Sequence, residues 1–263
     1  MTVFRNAQGY SLSSQPVAIA AGAIGTVVGT AQVSLALEEL VVSGGVSDGG
    51  LITGIRVAGQ EILASNAAVP WMALSNRIAG MDGGYRSIGL TISNSQTVAV
   101  DVSNTGVAAG NFQFSCTTTP IPDSAVVPVN SSGDSLNFLF GLGETLALAA
   151  GASANLTAVA LRPTVLGRLV VVQQGAVNPG GALADITIDS ILVNNIELLS
   201  GQTGAAVGGG GIPAECCGVL STYDGDTSLL QYPVELNSTV TVLVTNRTAG
   251  PVSIGAAIYC LPR

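Results

Sequence analysis

Apolar and polar residues alternate one for one along much of this chain. Val98, Val100 and Val102 interleave with Thr97, Ala99, Asp101 and Ser103. Val240, Val242 and Val244 interleave in the same way with Thr239, Thr241, Leu243 and Thr245. Ile88, Leu90 and Ile92, and Ile186 with Ile188, repeat the pattern. A period of two sends successive side chains to opposite faces, so each run predicts a β-strand with one buried side. Turn-forming clusters follow the runs: Asn104-Thr105-Gly106, Asn178-Pro179-Gly180-Gly181, and Asn246 to Gly250. Short strands punctuated in this way predict a sandwich or barrel. One short helix is expected at Pro70 to Ile78, with proline at its start and Gly80 behind its end. A further strand is expected at Leu136 to Phe140.

The uncharged stretch from Val17 to Leu37 requires a membrane test. Gly22, Gly25 and Gly29 interrupt it, and Gln32 to Glu38 alternates with a strand period. We therefore read it as strands and not as a spanning helix.

The pattern also repeats on a larger scale. Ala18-Ile19-Ala20-Ala21-Gly22-Ala23 is similar to Ala147-Leu148-Ala149-Ala150-Gly151-Ala152, 129 residues later. Ile55 to Leu63 matches Ile191 to Leu199 at an offset of 136, and Thr97 to Asn104 matches Thr239 to Asn246 at 142. The matches are collinear, and the slowly growing offset is what longer loops in a second copy would produce. Each copy ends on a cysteine-bearing run, Phe112 to Cys116 and Ala257 to Cys260. The expectation is a half-length, strand-rich module present twice. Pro120, Pro122, Pro128 and Asn130-Ser131-Ser132-Gly133 mark the join.

Composition narrows the function classes. Only 9% of residues are charged and 48% are hydrophobic, so the chain must hide apolar surface in a core or a large interface. The net charge of −8, with no Lys/Arg cluster, argues against direct nucleic-acid binding. Histidine is absent, which removes Ser-His-Asp and Cys-His mechanisms. The start, Met1 to Asn6, lacks the basic and apolar regions of a signal peptide. Cys116, Cys216, Cys217 and Cys260 are too sparse for a disulfide scaffold, and we read them as small buried residues in a reduced compartment.

Candidate chemistry is thin. Asp224 and Asp226 in Asp224-Gly225-Asp226 are calcium candidates, set against a polar turn between strands. Gly208 to Gly211 lacks the Lys-Ser/Thr of a phosphate loop and reads as a surface loop. Glu38-Glu39 is the adjacent acid pair, read as a solvated strand edge; with Asp101 it supplies the first carboxylates to mutate under an enzyme reading. Asn130, Asn155, Asn237 and Asn246 open Asn-X-Ser/Thr triplets, for which glycosylation is not expected without a secretory signal. Trp71 and Met72 read as core or interface residues. No catalytic or cofactor-binding residue is assigned, and no cofactor is expected apart from the calcium candidates.

The paired motifs at Ile55–Leu63 and Ile191–Leu199, the alternating runs at Thr97–Ser103 and Thr239–Thr245, and the overall length are similar to the double jelly-roll major capsid proteins of tailless icosahedral bacteriophages, including those with an internal membrane. The resemblance implies an all-β chain of two tandem eight-stranded jelly-roll β-sandwich domains. It divides the chain into an N-terminal arm at 1–14, a first domain at 15–122, a linker at 123–144 and a second domain at 145–263. It implies a non-enzymatic virion protein assembled in the host cytoplasm as pseudo-hexameric homotrimers. Other copies of itself, other capsid or spike proteins and an internal membrane are then its partners. The alternatives are a phage spike, fibre or carbohydrate-binding β-sandwich adhesin, a carboxylate-dependent glycosidase, and a filament or surface-layer subunit.

Overall fold

The computed structural model describes residues 10–44, 49–74, 87–128, 139–174, 185–198, 212–214 and 229–261. It is all-β. Among the described residues, helical structure is confined to short 3-10 turns such as Trp71–Leu74 and Asp123–Ala125.

The first half runs β1 (Tyr10–Ser13), β2 (Val17–Ile19), β3 (Ile24–Thr30), β4 (Leu35–Gly44), β5 (Leu51–Val57), β6 (Gln60–Glu61), β7 (Val69–Pro70), β8 (Ser87–Ile92), β9 (Thr97–Ser103) and β10 (Gly110–Pro120). One sheet has the order β1-β10-β4-β8, with β2 lying beyond β1 along β10. The other has the order β3-β9-β5-β6, with β7 also on β5. The pairs are antiparallel, and consecutive long strands fall alternately into the two sheets. The expected alternation is realised in β9, where Val98, Val100 and Val102 are fully buried between the sheets.

The second half repeats this plan with β11 (Leu139–Leu148), β12 (Ser153–Val159), β13 (Thr164–Gln174), β14 (Ile186–Val193), β15 (Ile196–Glu197), β16 (Ile212–Pro213), β17 (Leu229–Val234), β18 (Thr239–Asn246) and β19 (Val252–Leu261). Its sheets are β11-β19-β13-β17 and β12-β18-β14-β15, with β16 on β14. Strand for strand this is the order of the first half, β11 standing for β1 and β2 together. Two sandwiches of this order are jelly rolls, in tandem.

The three sequence matches occupy equivalent places down to single hydrogen bonds. The turn after β2 donates Gly22 N–H to Asn104 O at 2.8 Å and receives Asn104 N–H on Ala23 O at 2.9 Å. Its counterpart donates Gly151 N–H to Asn246 O at 2.7 Å and receives Asn246 N–H on Ala152 O at 2.9 Å. Both asparagines are fully buried. Asn104 Nδ2 donates to Ile19 O and Ala108 O, each at 2.9 Å, and its Oδ1 accepts from Gly106 N–H at 3.0 Å. Asn246 makes the same three bonds, to Leu148 O, Gly250 O and Thr248 N–H. A planar amide with two donors and an acceptor is the smallest side chain that ties two loops together in this way.

Several expectations are revised. Pro70 belongs to β7 and only Trp71–Leu74 turns, as a 3-10 segment; residues 75–78 of the expected helix lie outside the described residues. All four turn residues are buried, so the segment has no solvent face of the kind a surface helix shows. Tyr10–Ser13, expected within an arm, is a paired strand, and β11 begins at Leu139, inside the segment expected to link the halves. Glu38-Glu39 does not close a strand. The pair lies in the middle of β4, a central strand, where Glu38 is the extra residue of a bulge opposite Thr117 and Thr118. The bulge explains how two adjacent acids sit in a strand with its core face intact.

Candidate functional site

A continuous buried surface joins the two halves of the molecule. Residues Ile62–Ser65 and Val69–Leu74 of the first half are buried, although most of this stretch lies outside the long strands. They run along the edge of β11 and over the outer face of its sheet. Ala64 N–H donates to Leu139 O at 2.8 Å, Gly143 N–H to Ala68 O at 2.9 Å, and Leu63 bridges Leu139 in parallel. Ser65 Oγ donates to Gly141 O at 2.8 Å, and the Tyr259 hydroxyl donates to Ala73 O at 2.5 Å, both buried. Arg162 Nη2 reaches Glu61 O at 3.0 Å. Trp71 stands edge-on to Phe112, with centroids 6.5 Å apart. The first core thereby runs without interruption into Leu139, Val170, Val172, Ala257 and Tyr259 of the second half.

Two glycines set the closeness of this seam. A Cβ on Gly141 would sit 2.3 Å from Ala67 O, and one on Gly255 would sit 2.4 Å from Pro70 Cγ. Both positions need the absence of a side chain for the backbones to approach.

The result is an asymmetry between equivalent sheets. In β10 burial alternates strictly, with Gln113, Ser115 and Thr117 exposed. Their counterparts on β19, Gly255, Ala257 and Tyr259, are buried, so β19 is covered on both faces. Small hydroxyl residues sit where the face is open, and Gly, Ala and Tyr sit where it is covered.

The carboxylates do not converge. Asp101 lies on β9, where its Oδ1 accepts from Arg56 Nη2 at 2.8 Å and from Thr26 Oγ1 at 2.6 Å. Glu38 lies on the other sheet, is exposed and accepts from Thr119 Oγ1 at 2.5 Å. The half-exposed Arg56–Asp101 pair is worth about 0–1 kcal/mol. Glu61 has a role that the sequence motif did not reveal. Its Oε1 accepts from the N–H groups of Ile55, Ile62 and Leu63 at 3.0–3.1 Å. Glu197 does the same for Ile191 N–H at 3.1 Å and accepts from Ser190 Oγ. Each glutamate satisfies the stretch of β5 or β14 left between two short partner strands. The shared Glu of the two matched segments was the available signal.

Cys116 is buried and Cys260 half-buried, and both are free thiols. Burial pushes the Cys116 thiol up to about 12, with the nearby carboxylates of Glu38 and Glu39 adding to the rise against a backbone hydrogen bond from Glu38. Burial likewise raises Cys260 to about 12. Such thiols are poor nucleophiles and poor metal ligands at neutral pH. Cys216, Cys217, the calcium candidates Asp224 and Asp226, Gly208 to Gly211 and Asn130 lie outside the described residues. Among the described residues no group of three or more Cys, Asp or Glu could hold a metal ion, and no helix is long and apolar enough to cross a membrane. Asn155 and Asn237 are exposed, whereas the Asn246 amide is consumed in the buried corner. A small cavity of about 140 Å³ is lined by Ala58, Gln60, Thr91, Ser93, Gln96, Val126 and Pro128, none of them charged.

No protein-family model matches this chain, and no curated protein matches its sequence.

Proposed function

We propose that this chain is a structural virion protein: a major capsid protein that assembles as pseudo-hexameric trimers into an icosahedral shell. The observation that carries the reading is the docking of two same-order jelly rolls side by side through a continuous buried core. A shell subunit needs broad, geometrically defined lateral contact in place of a pocket, and the half-to-half seam is a contact of that kind. Two equivalent modules per chain let three chains present six similar units around an axis. The absence of histidine, the separated carboxylates and the uncharged cavity lining fit a protein whose work is packing. In this reading its partners are further copies of itself, other capsid or spike proteins and an internal membrane beneath the shell, and its location is the virion, with assembly in the host cytoplasm.

The test is negative-stain microscopy of the purified chain at high concentration. Three-fold particles with a hexagonal outline, or closed shells, are the expected result. A monodisperse single chain across the whole concentration range would overturn the reading.

A further inference from the structure

The two halves part company at one equivalent turn. Ala58-Gly59 and Asn194-Asn195 close the β5–β6 and β14–β15 hairpins. Ala58 and Asn194 both stand at φ 49, and each donates its N–H to the neighbouring strand, to Thr97 O or Thr239 O, at 2.9 Å. A left-handed turn of this kind favours Asn at its first position, because a short polar side chain can bond locally and offset the strain at Cβ. Asn194 does so. Its Oδ1 accepts from Thr239 N–H at 2.9 Å, and its Nδ2 donates to Ser238 Oγ at 3.0 Å. Ala58 bears the same backbone strain without an amide to offset it. Where Asn194 places its amide, Ala58 borders the open cavity of about 140 Å³. Gln96, the counterpart of Ser238, stands on the cavity wall with Gln60 and Ser93. Among the described residues, the Gln60 amide and the Ser93 hydroxyl have no hydrogen-bond partner within the chain. Gln96 uses Oε1 to accept from Ser93 N–H at 2.7 Å and leaves its Nε2 to the cavity. Thr91 holds Val127 by both backbone groups, at 2.8 and 3.1 Å, which fixes Val126 and Pro128 as the apolar side.

We infer that this cavity binds one neutral sugar residue, with a hydroxyl or acetamido group of the sugar in the position that Asn194 gives its amide. Three features select that class. The lining is uncharged, so an ion entering it would lose water without gaining a partner charge. A cavity of roughly 150 Å³ accepts one benzene-sized molecule, which is the size of a single pyranose ring. Two amides and a hydroxyl on the wall, facing an apolar side, match a ring that carries neutral donors and acceptors around its rim and C–H groups on its faces. A lone carboxamide would engage only part of that set. Retaining alanine at a left-handed position is then explained: asparagine would relieve the strain and occupy the site. No aromatic ring lines the cavity, so a single residue binds in the millimolar range. The site does not depend on the coat reading. On a shell it would recur in every copy, and multivalent attachment to a glycan surface would multiply the weak single contact.

The test is saturation-transfer NMR, which observes the ligand and works at any assembly state of the full chain. The probes are glucose, galactose, N-acetylglucosamine and N-acetylgalactosamine, each at about 10 mM, with N-acetylglutamine methylamide as the peptide amide. At least one sugar is expected to receive saturation from the wild-type chain. Ala58→Asn places an amide in the cavity and is expected to abolish that transfer while its thermal midpoint stays at or above the wild-type value. Gln60→Ala is expected to weaken binding at least about tenfold. Absence of transfer to every sugar overturns the proposal, as does transfer to the peptide amide alone. Transfer that survives Ala58→Asn undiminished places the sugar elsewhere and also overturns it. Should Ala58→Asn lose the wild-type circular dichroism, Gln60→Ala decides, and unchanged binding in that variant overturns the assignment.

Discussion

Replacing Asn104 by alanine is expected to cost about 3–4 kcal/mol, and replacing Asn246 about 2–3 kcal/mol. The magnitudes follow from what each amide leaves behind. Asn104→Ala strands Ile19 O and Gly106 N–H in buried surroundings and Ala108 O in a partly buried one. A buried group without a partner costs about 1–3 kcal/mol, and one that can still reach water costs nearer the net value of a hydrogen bond, about 1 kcal/mol. At Asn246 all three partners, Leu148 O, Gly250 O and Thr248 N–H, are only partly buried. The same three bonds therefore carry a smaller penalty in the second half. The assay is urea unfolding followed by intrinsic fluorescence, at one fixed protein concentration because assembly adds to apparent stability. The denaturant slope should stay unchanged while the midpoint falls. Asn104→Asp is the companion variant: it keeps the shape and the acceptor but cannot donate to either carbonyl. A loss below about 1 kcal/mol at Asn104, or a larger loss at Asn246 than at Asn104, would refute the reasoning.

Gly141→Ala drives a methyl into Ala67 O and Ala68 O and should destabilise by about 1–3 kcal/mol in thermal unfolding, whereas Gly250→Ala, with open space around its Cβ, should stay within about 0.5 kcal/mol. Tyr259→Phe removes the buried hydroxyl that donates to Ala73 O at the seam, with an expected loss of about 1–3 kcal/mol by chemical denaturation. Cys116 and Cys260 should resist a thiol-labelling reagent at pH 8 and react fully once denaturant is added. Because folding raises the Cys116 thiol from 9.0 to about 12, the folded chain holds that proton more tightly. Its contribution to stability is complete below pH 9 and is lost as the pH rises toward 12, so an unfolding midpoint that climbs across that window would contradict the assignment.

The strands facing a single core were legible because their alternation survives in the residues themselves, as in Val98-Ala99-Val100-Asp101-Val102. The duplication was legible because the asparagine corners and the Glu61 and Glu197 hairpins recur in order. The seam was not. A strand buried on both faces has no polar face to write into the sequence, and Gly255-Ala256-Ala257-Ile258-Tyr259 reads as an undifferentiated apolar run. Trp71–Leu74 misled for the same reason. A proline before four apolar residues and a glycine after them resembles a capped helix, and only the tertiary packing, against Phe112 in its own half and Tyr259 in the other, explains why all four are buried. Tyr10–Ser13 is too short and too polar to announce a strand, and its pairing depends on β10, about a hundred residues away. The carboxylate candidates failed by topology: Asp101 and Glu38 are carried by different sheets, a separation that no spacing along the chain encodes.

The seam has a kinetic consequence. Two sandwiches translated as one polypeptide meet at a local concentration set by the covalent connection between them, not by the concentration of chains in solution. Dilution cannot separate them, and their union is first order in protein. In a ring of three chains, half of the lateral joints would thus be in place before any two molecules collide. Only the remaining joints would respond to how much protein a cell has made, so the onset of assembly could be governed by expression level alone.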